Sequence, residues 1–96
     1  MVRLIVKSYL RPECLEKAAP LYREMLEKTR KEDGCIQYDL FTDVKDETCY
    51  VFVECWESQA RLDAHIASEH FQRIIPQINE FKDDREGGAT FIKEFA

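Results

Sequence analysis

Three side chains hold most of the acid–base chemistry in this sequence: Glu54, His65 and His70. Glu54 is the lone carboxylate in the most apolar run, Tyr50-Val51-Phe52-Val53-Glu54-Cys55-Trp56. An ionised carboxylate there loses hydration, so it must meet a partner, face a wet cavity or take up a proton. Such settings are where enzymes tune acids and bases. Glu54 is therefore a candidate general base, or the orienter of a histidine. The competing reading is a carboxylate neutralised by a structural partner. His65 falls three residues after Leu62 on the inner side of a helical stretch, placed to approach Glu54 and to shuttle protons near neutral pH. It reads equally as a hydrogen-bonded core residue. His70 sits at a helix junction, where it caps a backbone carbonyl or, with Phe71, walls a substrate slot. Tyr38, Tyr50, Phe52 and Trp56 complete that slot for a planar ligand, although an alternating aromatic stripe is also ordinary core. Five positions separate His65 from His70, which puts them on different faces of a continuous helix, so no metal site is expected.

The elements that must position these groups follow from periodicity. Val2 to Leu10 alternates, with Leu4, Val6, Ser8 and Leu10 on one face, and predicts a strand. Arg11-Pro12-Glu13 opens a helix carrying Leu15, Ala18, Tyr22, Met25 and Leu26 at helical spacing, with a kink expected at Pro20 and a left-handed end at Gly34. Strands over 35–42 and 49–56 form a hairpin across the polar stretch 43–48. One register of that hairpin sets Cys35 across from Cys55. Ser58 caps a short helix with Leu62, His65 and Ile66, and Ser68 caps another turn with Phe71, Ile74 and Ile78, which Pro76 is expected to bend or end. Residues 82–88 form a loop and 89–95 a last strand. The order predicts a single α+β domain over 1–96: a ferredoxin-like four-stranded antiparallel sheet with helices on one face.

Composition removes whole classes of function. A net charge of −5 with no basic cluster argues against nucleic acid and anionic membrane surfaces. No apolar run approaches the roughly 20 residues of a membrane-spanning helix. Arg3 and Lys7 interrupt the N-terminal apolar run and no small-residue cleavage site follows, so a cytoplasmic location is expected. Cys14, Cys35, Cys49 and Cys55 lack C-x-x-C spacing, which points to reduced thiols rather than disulfides or structural zinc. The second sheet face, with Phe41, Val51 and Val53, carries more apolar surface than one small protomer covers, and a homodimer paired through that face is expected.

In this setting the chain resembles the antibiotic biosynthesis monooxygenase family of small dimeric α+β barrels. The resemblance rests on Glu32-Asp33-Gly34-Cys35 leading to Tyr38, on Phe52-x-Glu54-x-Trp56, and on Leu62-x-x-His65-x-x-Ser68-x-His70-Phe71. It is strongest toward members that oxidise quinols or process an autoinducer. It implies dioxygen chemistry on a small aromatic or quinol substrate without cofactor, metal or flavin. The alternatives are an isomerase acting on a phosphorylated carbonyl compound and a domain that only binds a small ligand. The haem-degrading branch implies an axial histidine in the last helix, where this chain reads Arg73-Ile74-Ile75-Pro76. The same resemblance supports Glu54 with His65 as the acid–base pair.

Overall fold

A computed structural model describes all 96 residues. Four strands form one antiparallel sheet: β1 (Val2–Tyr9), β2 (Cys35–Asp43), β3 (Asp46–Trp56) and β4 (Gly88–Ile92), in the order β2-β3-β1-β4. Three helices, α1 (Leu15–Thr29), α2 (Gln59–Ile66) and α3 (Glu69–Glu80), complete the ferredoxin-like α+β arrangement. The alternation of β1 and β3 turns Leu4, Phe52 and Trp56 into a core with Tyr22, Met25, Leu62, Ile74 and Ile78 from the helices.

Register sets the site. Leu4 pairs with Glu54 and with Phe91, and Glu54 pairs with Tyr38, so one row of side chains crosses all four strands. A bulge breaks the alternation early in β2: Cys35 lies opposite Trp56 and Gln37 opposite Cys55. The expected Cys35–Cys55 apposition therefore does not form. Ile36, at the bulge, is 53% exposed. All four cysteines are free.

The helices start and stop where local chemistry dictates, with corrections to the expectation. Pro12–Cys14 form a 3₁₀ turn before α1 rather than its first turn. Pro20 and Pro76 both lie inside helices, and α3 runs on through Pro76 to Glu80. A proline removes one helical hydrogen bond. In α3 the burial of Ile74 and Ile78 on either side offsets that cost. The hairpin is tighter than the polar stretch suggested, because Asp43 Oδ1 accepts from the Lys45 N–H at 2.8 Å and pairing resumes at Asp46. The last strand is shorter, ending at Ile92.

Ser58 and Ser68 each accept a backbone N–H, from Arg61 and Phe71. The second cap breaks the chain after Ile66, so His65 and His70 belong to separate helices. Gly34 adopts φ +80°, and a Cβ there would lie 2.4 Å from Arg61 Cγ, so only glycine lets α2 close over the turn that follows α1. No helix is long and apolar enough to cross a membrane.

Candidate active site

Between sheet and helices lies a cavity of about 360 Å³. Its wall is mostly apolar, built mainly from β1, β3, α2 and α3 with residues from α1, β2 and β4, and five expected site residues reach it: Tyr38, Phe52, Glu54, His65 and Phe71. Trp56, Tyr50 and His70 do not line it. Trp56 is fully buried behind Glu54, Tyr50 stacks on Tyr22 at 4.8 Å, and His70 turns toward Thr29 and Glu32.

Glu54 is 6% exposed and its Oε1 accepts the Trp56 Nε1–H at 3.0 Å. Oε2 has no protein partner. Burial pushes the Glu54 carboxyl above the usual carboxylate range, against the lowering effect of the indole bond. Burial also pushes Tyr38 upward, so its phenol stays protonated.

His65 does not bond Glu54, contrary to the pairing expected from sequence. Its Nδ1 lies 2.7 Å from Glu32 Oε2, in the turn after α1, and the same oxygen lies 3.1 Å from His70 Nε2. A carboxylate only accepts, so Glu32 holds the proton of His65 on Nδ1. Nε2 then carries the lone pair and has no protein partner. The ring is 2% exposed, tilted against Trp56 at 4.7 Å and edge-on to Tyr38 at 5.4 Å. Burial lowers its pKa more than the Glu32 bond raises it, which favours neutral imidazole. The cavity is thus lined by an unprotonated imidazole nitrogen from α2 and a carboxylate from β3.

Glu32 is the residue that sequence reasoning missed. In the sequence it stands only as the first residue of Glu32-Asp33-Gly34-Cys35, a stretch of the family resemblance to which no site role attaches. Only contacts across 33 and 38 positions reveal its role. The break at Ala67-Ser68 also overturns the expectation that the two histidines diverge. The cations of a phosphate site are largely elsewhere: Arg73 is bound to Glu24 and Glu69 on the surface, and Lys7 lies on the other sheet face. Lys82, at the rim, is the one lysine or arginine lining the cavity.

The model of the antibiotic biosynthesis monooxygenase family matches residues 1–77, and this chain belongs to that family. A crystal structure of an antibiotic biosynthesis monooxygenase superposes over 100% of both chains at 41% identity with a TM-score of 0.94. Rv0793 of Mycobacterium tuberculosis, named a putative monooxygenase, is 32% identical over 79 residues, which cover 82% of this chain and 77% of that one. The uncharacterized protein sll1783 of Synechocystis is 29% identical over 66 residues and is longer, so the match covers 69% of this chain and only 45% of that one.

Proposed function

We propose that this protein is a monooxygenase that oxidises a small phenolic or quinol substrate with dioxygen and needs no bound cofactor. One observation carries the reading: an apolar cavity contains a buried carboxylate and a buried imidazole, each with one atom free of protein partners. A phenol gives electrons to dioxygen slowly, whereas its anion does so readily. Glu54, made more basic by burial, takes the hydroxyl proton. The anion passes an electron to dioxygen and the two couple at a ring carbon, forming a C–O bond. Glu54 returns its proton to the peroxide. His65 Nε2 then removes the proton on that carbon as the O–O bond breaks, and hands it to the departing hydroxide. The ring C–H becomes C=O, one oxygen stays in the product and the other leaves as water. The aromatic wall of Tyr38, Phe52 and Phe71 holds the ring in place and excludes water.

A phosphorylated substrate fits less well, since Lys82 alone offers a cationic side chain at the cavity. The free sheet face supports a homodimer: Phe41 is 54% exposed there, and Val51 and Val53 are half-buried in the protomer. The function is tested with 1-naphthol and 1,4-dihydroxynaphthalene under ¹⁸O₂. Protein-dependent oxygen uptake with one labelled atom in the product is expected, and it should fall sharply in Glu54→Gln. Uptake no faster than autoxidation with both compounds would reject the assignment.

A further inference from the structure

We infer that Glu32, His65 and His70 form a binding site for a single divalent transition-metal ion of the zinc or cobalt type, behind the wall of the cavity. A carboxylate oxygen and two imidazole nitrogens make a donor set that such ions favour. The three candidate ligand atoms all lie within 4.8 Å of one another. Glu32 Oε2 stands 2.7 Å from His65 Nδ1 and 3.1 Å from His70 Nε2. Donors on a tetrahedral zinc are about 3.4 Å apart, so small side-chain movements admit an ion where the two N–H protons now sit. The imidazole centroids are 6.1 Å apart, about 1 Å wider than two rings converging at the tetrahedral angle on one zinc, so the rings must close slightly on binding.

Each ligand comes from a different element: the turn after α1, the end of α2 and the first turn of α3. The hydroxyl oxygens of Thr29 and Ser68 lie 3.3 Å from His70 Nε2, close enough to take the fourth position or to hold a water there. The Glu32 side chain is 17% exposed, which gives an ion a route from solvent. The cluster holds one carboxylate and no cationic Lys or Arg bonded to it, so a divalent ion meets no like charge from those side chains.

Occupancy would have a consequence inside the cavity. Coordination through Nδ1 places the His65 proton on Nε2 and changes that atom from acceptor to donor. The ion would not take part in the oxidation. It would withdraw His65 from the acid–base role proposed above, and that inhibition alone rests on the proposed function.

The chain contains only two histidines, so ¹H–¹⁵N spectra of the imidazole rings test the site without a variant. Tag-free protein is titrated with zinc chloride, and the expected result is that both rings shift together, saturate at one equivalent and exchange their protonated nitrogens. Glu32→Gln should weaken zinc by at least the roughly 10–100-fold that loss of an outer-shell partner costs, read by competition with a chelating dye, because it removes a charged ligand. A shift of only one ring or of neither, or undiminished affinity in Glu32→Gln, would overturn the site. Zinc binding with the ring exchange but with full oxygenase activity would leave the site standing and count against His65 as the base.

Discussion

Glu54→Gln separates the chemistry of the cavity from its architecture. Amide and carboxylate share a shape, and the amide oxygen can still accept the Trp56 Nε1–H. That bond changes from charge-assisted, about 1.5–3 kcal/mol, to neutral, about 0.5–1.5 kcal/mol, a loss of about 1 kcal/mol. The substitution also removes a carboxyl that burial disfavours in its charged form. The two effects oppose each other, so at neutral pH the variant should stay within about 1 kcal/mol of the parent, or roughly 4–8 °C in Tm. The pH dependence gives a sign. Because the folded-state pKa is raised, the contribution of Glu54 to stability is fully present below its unfolded value of about 4.3 and is lost as pH rises through the folded value. Glutamine does not titrate, so the variant should gain stability relative to the parent as pH rises from 4 through that window. Turnover should nonetheless fall by about 10²–10⁴, the usual worth of a positioned base. Urea melts at pH 4 and pH 7.5, with oxygen uptake on the same samples, read both quantities. Full activity, or a loss that only tracks the folded fraction, would refute Glu54 as a base. A parent more stable than the variant at pH 7.5 but not at pH 4 would refute the raised pKa.

Three further outcomes follow from the geometry. Trp56→Phe removes the donor to Glu54 and leaves Oε1 buried without a partner; a loss of about 1–3 kcal/mol is expected in urea melts, plus the lost packing of the indole. Gly34→Ala meets both a left-handed φ and the Arg61 side chain, and should cost about 1–2 kcal/mol or more, with little change if Arg61 is also cut to alanine and φ alone contributes. Phe41→Glu places a charge on the sheet face proposed to pair two protomers, so sedimentation should show a dimer for the parent and a monomer for the variant; a folded parent monomer at micromolar concentration would remove the dimer from the proposal.

The fold was legible because two periods recur cleanly. Leu4-Val6-Ser8 and Phe52-Glu54-Trp56 alternate toward the helices, and Ile74 with Ile78 marks the buried stripe of α3. Boundaries were less legible where local and tertiary forces compete. Pro76 ends a helix by local rule, but the packed isoleucines around it carry the helix onward. The bulge at Ile36 leaves no mark in a sequence pattern of period two. Within the site, a lone acid in an aromatic strand was visible, as was a histidine on an inward helix face. Their partners were not. Trp56 reaches Glu54 from two positions along the same strand, and Glu32 reaches two histidines only after the chain has folded back on itself. Such pairings are properties of tertiary packing: the stretch Glu32-Asp33-Gly34-Cys35 marked a resemblance, but nothing in it pointed to the histidines.

The row Tyr38–Glu54–Leu4–Phe91 also has one closed and one open end. Its Tyr38 end is closed: Trp56 is fully buried there, and the Glu32 carboxylate ties the turn after α1 to both α2 and α3. The other end reaches β4, where every residue is exposed and Phe91 is 59% so. Glu54 and Phe91 are separated by two strand spacings, about 10 Å, roughly the length of a two-ring aromatic. A ligand of the proposed kind would therefore come in past Lys82 and Phe91 and travel across the strands, not along them. Its leading edge would meet the carboxylate, and its trailing edge would stay at the rim.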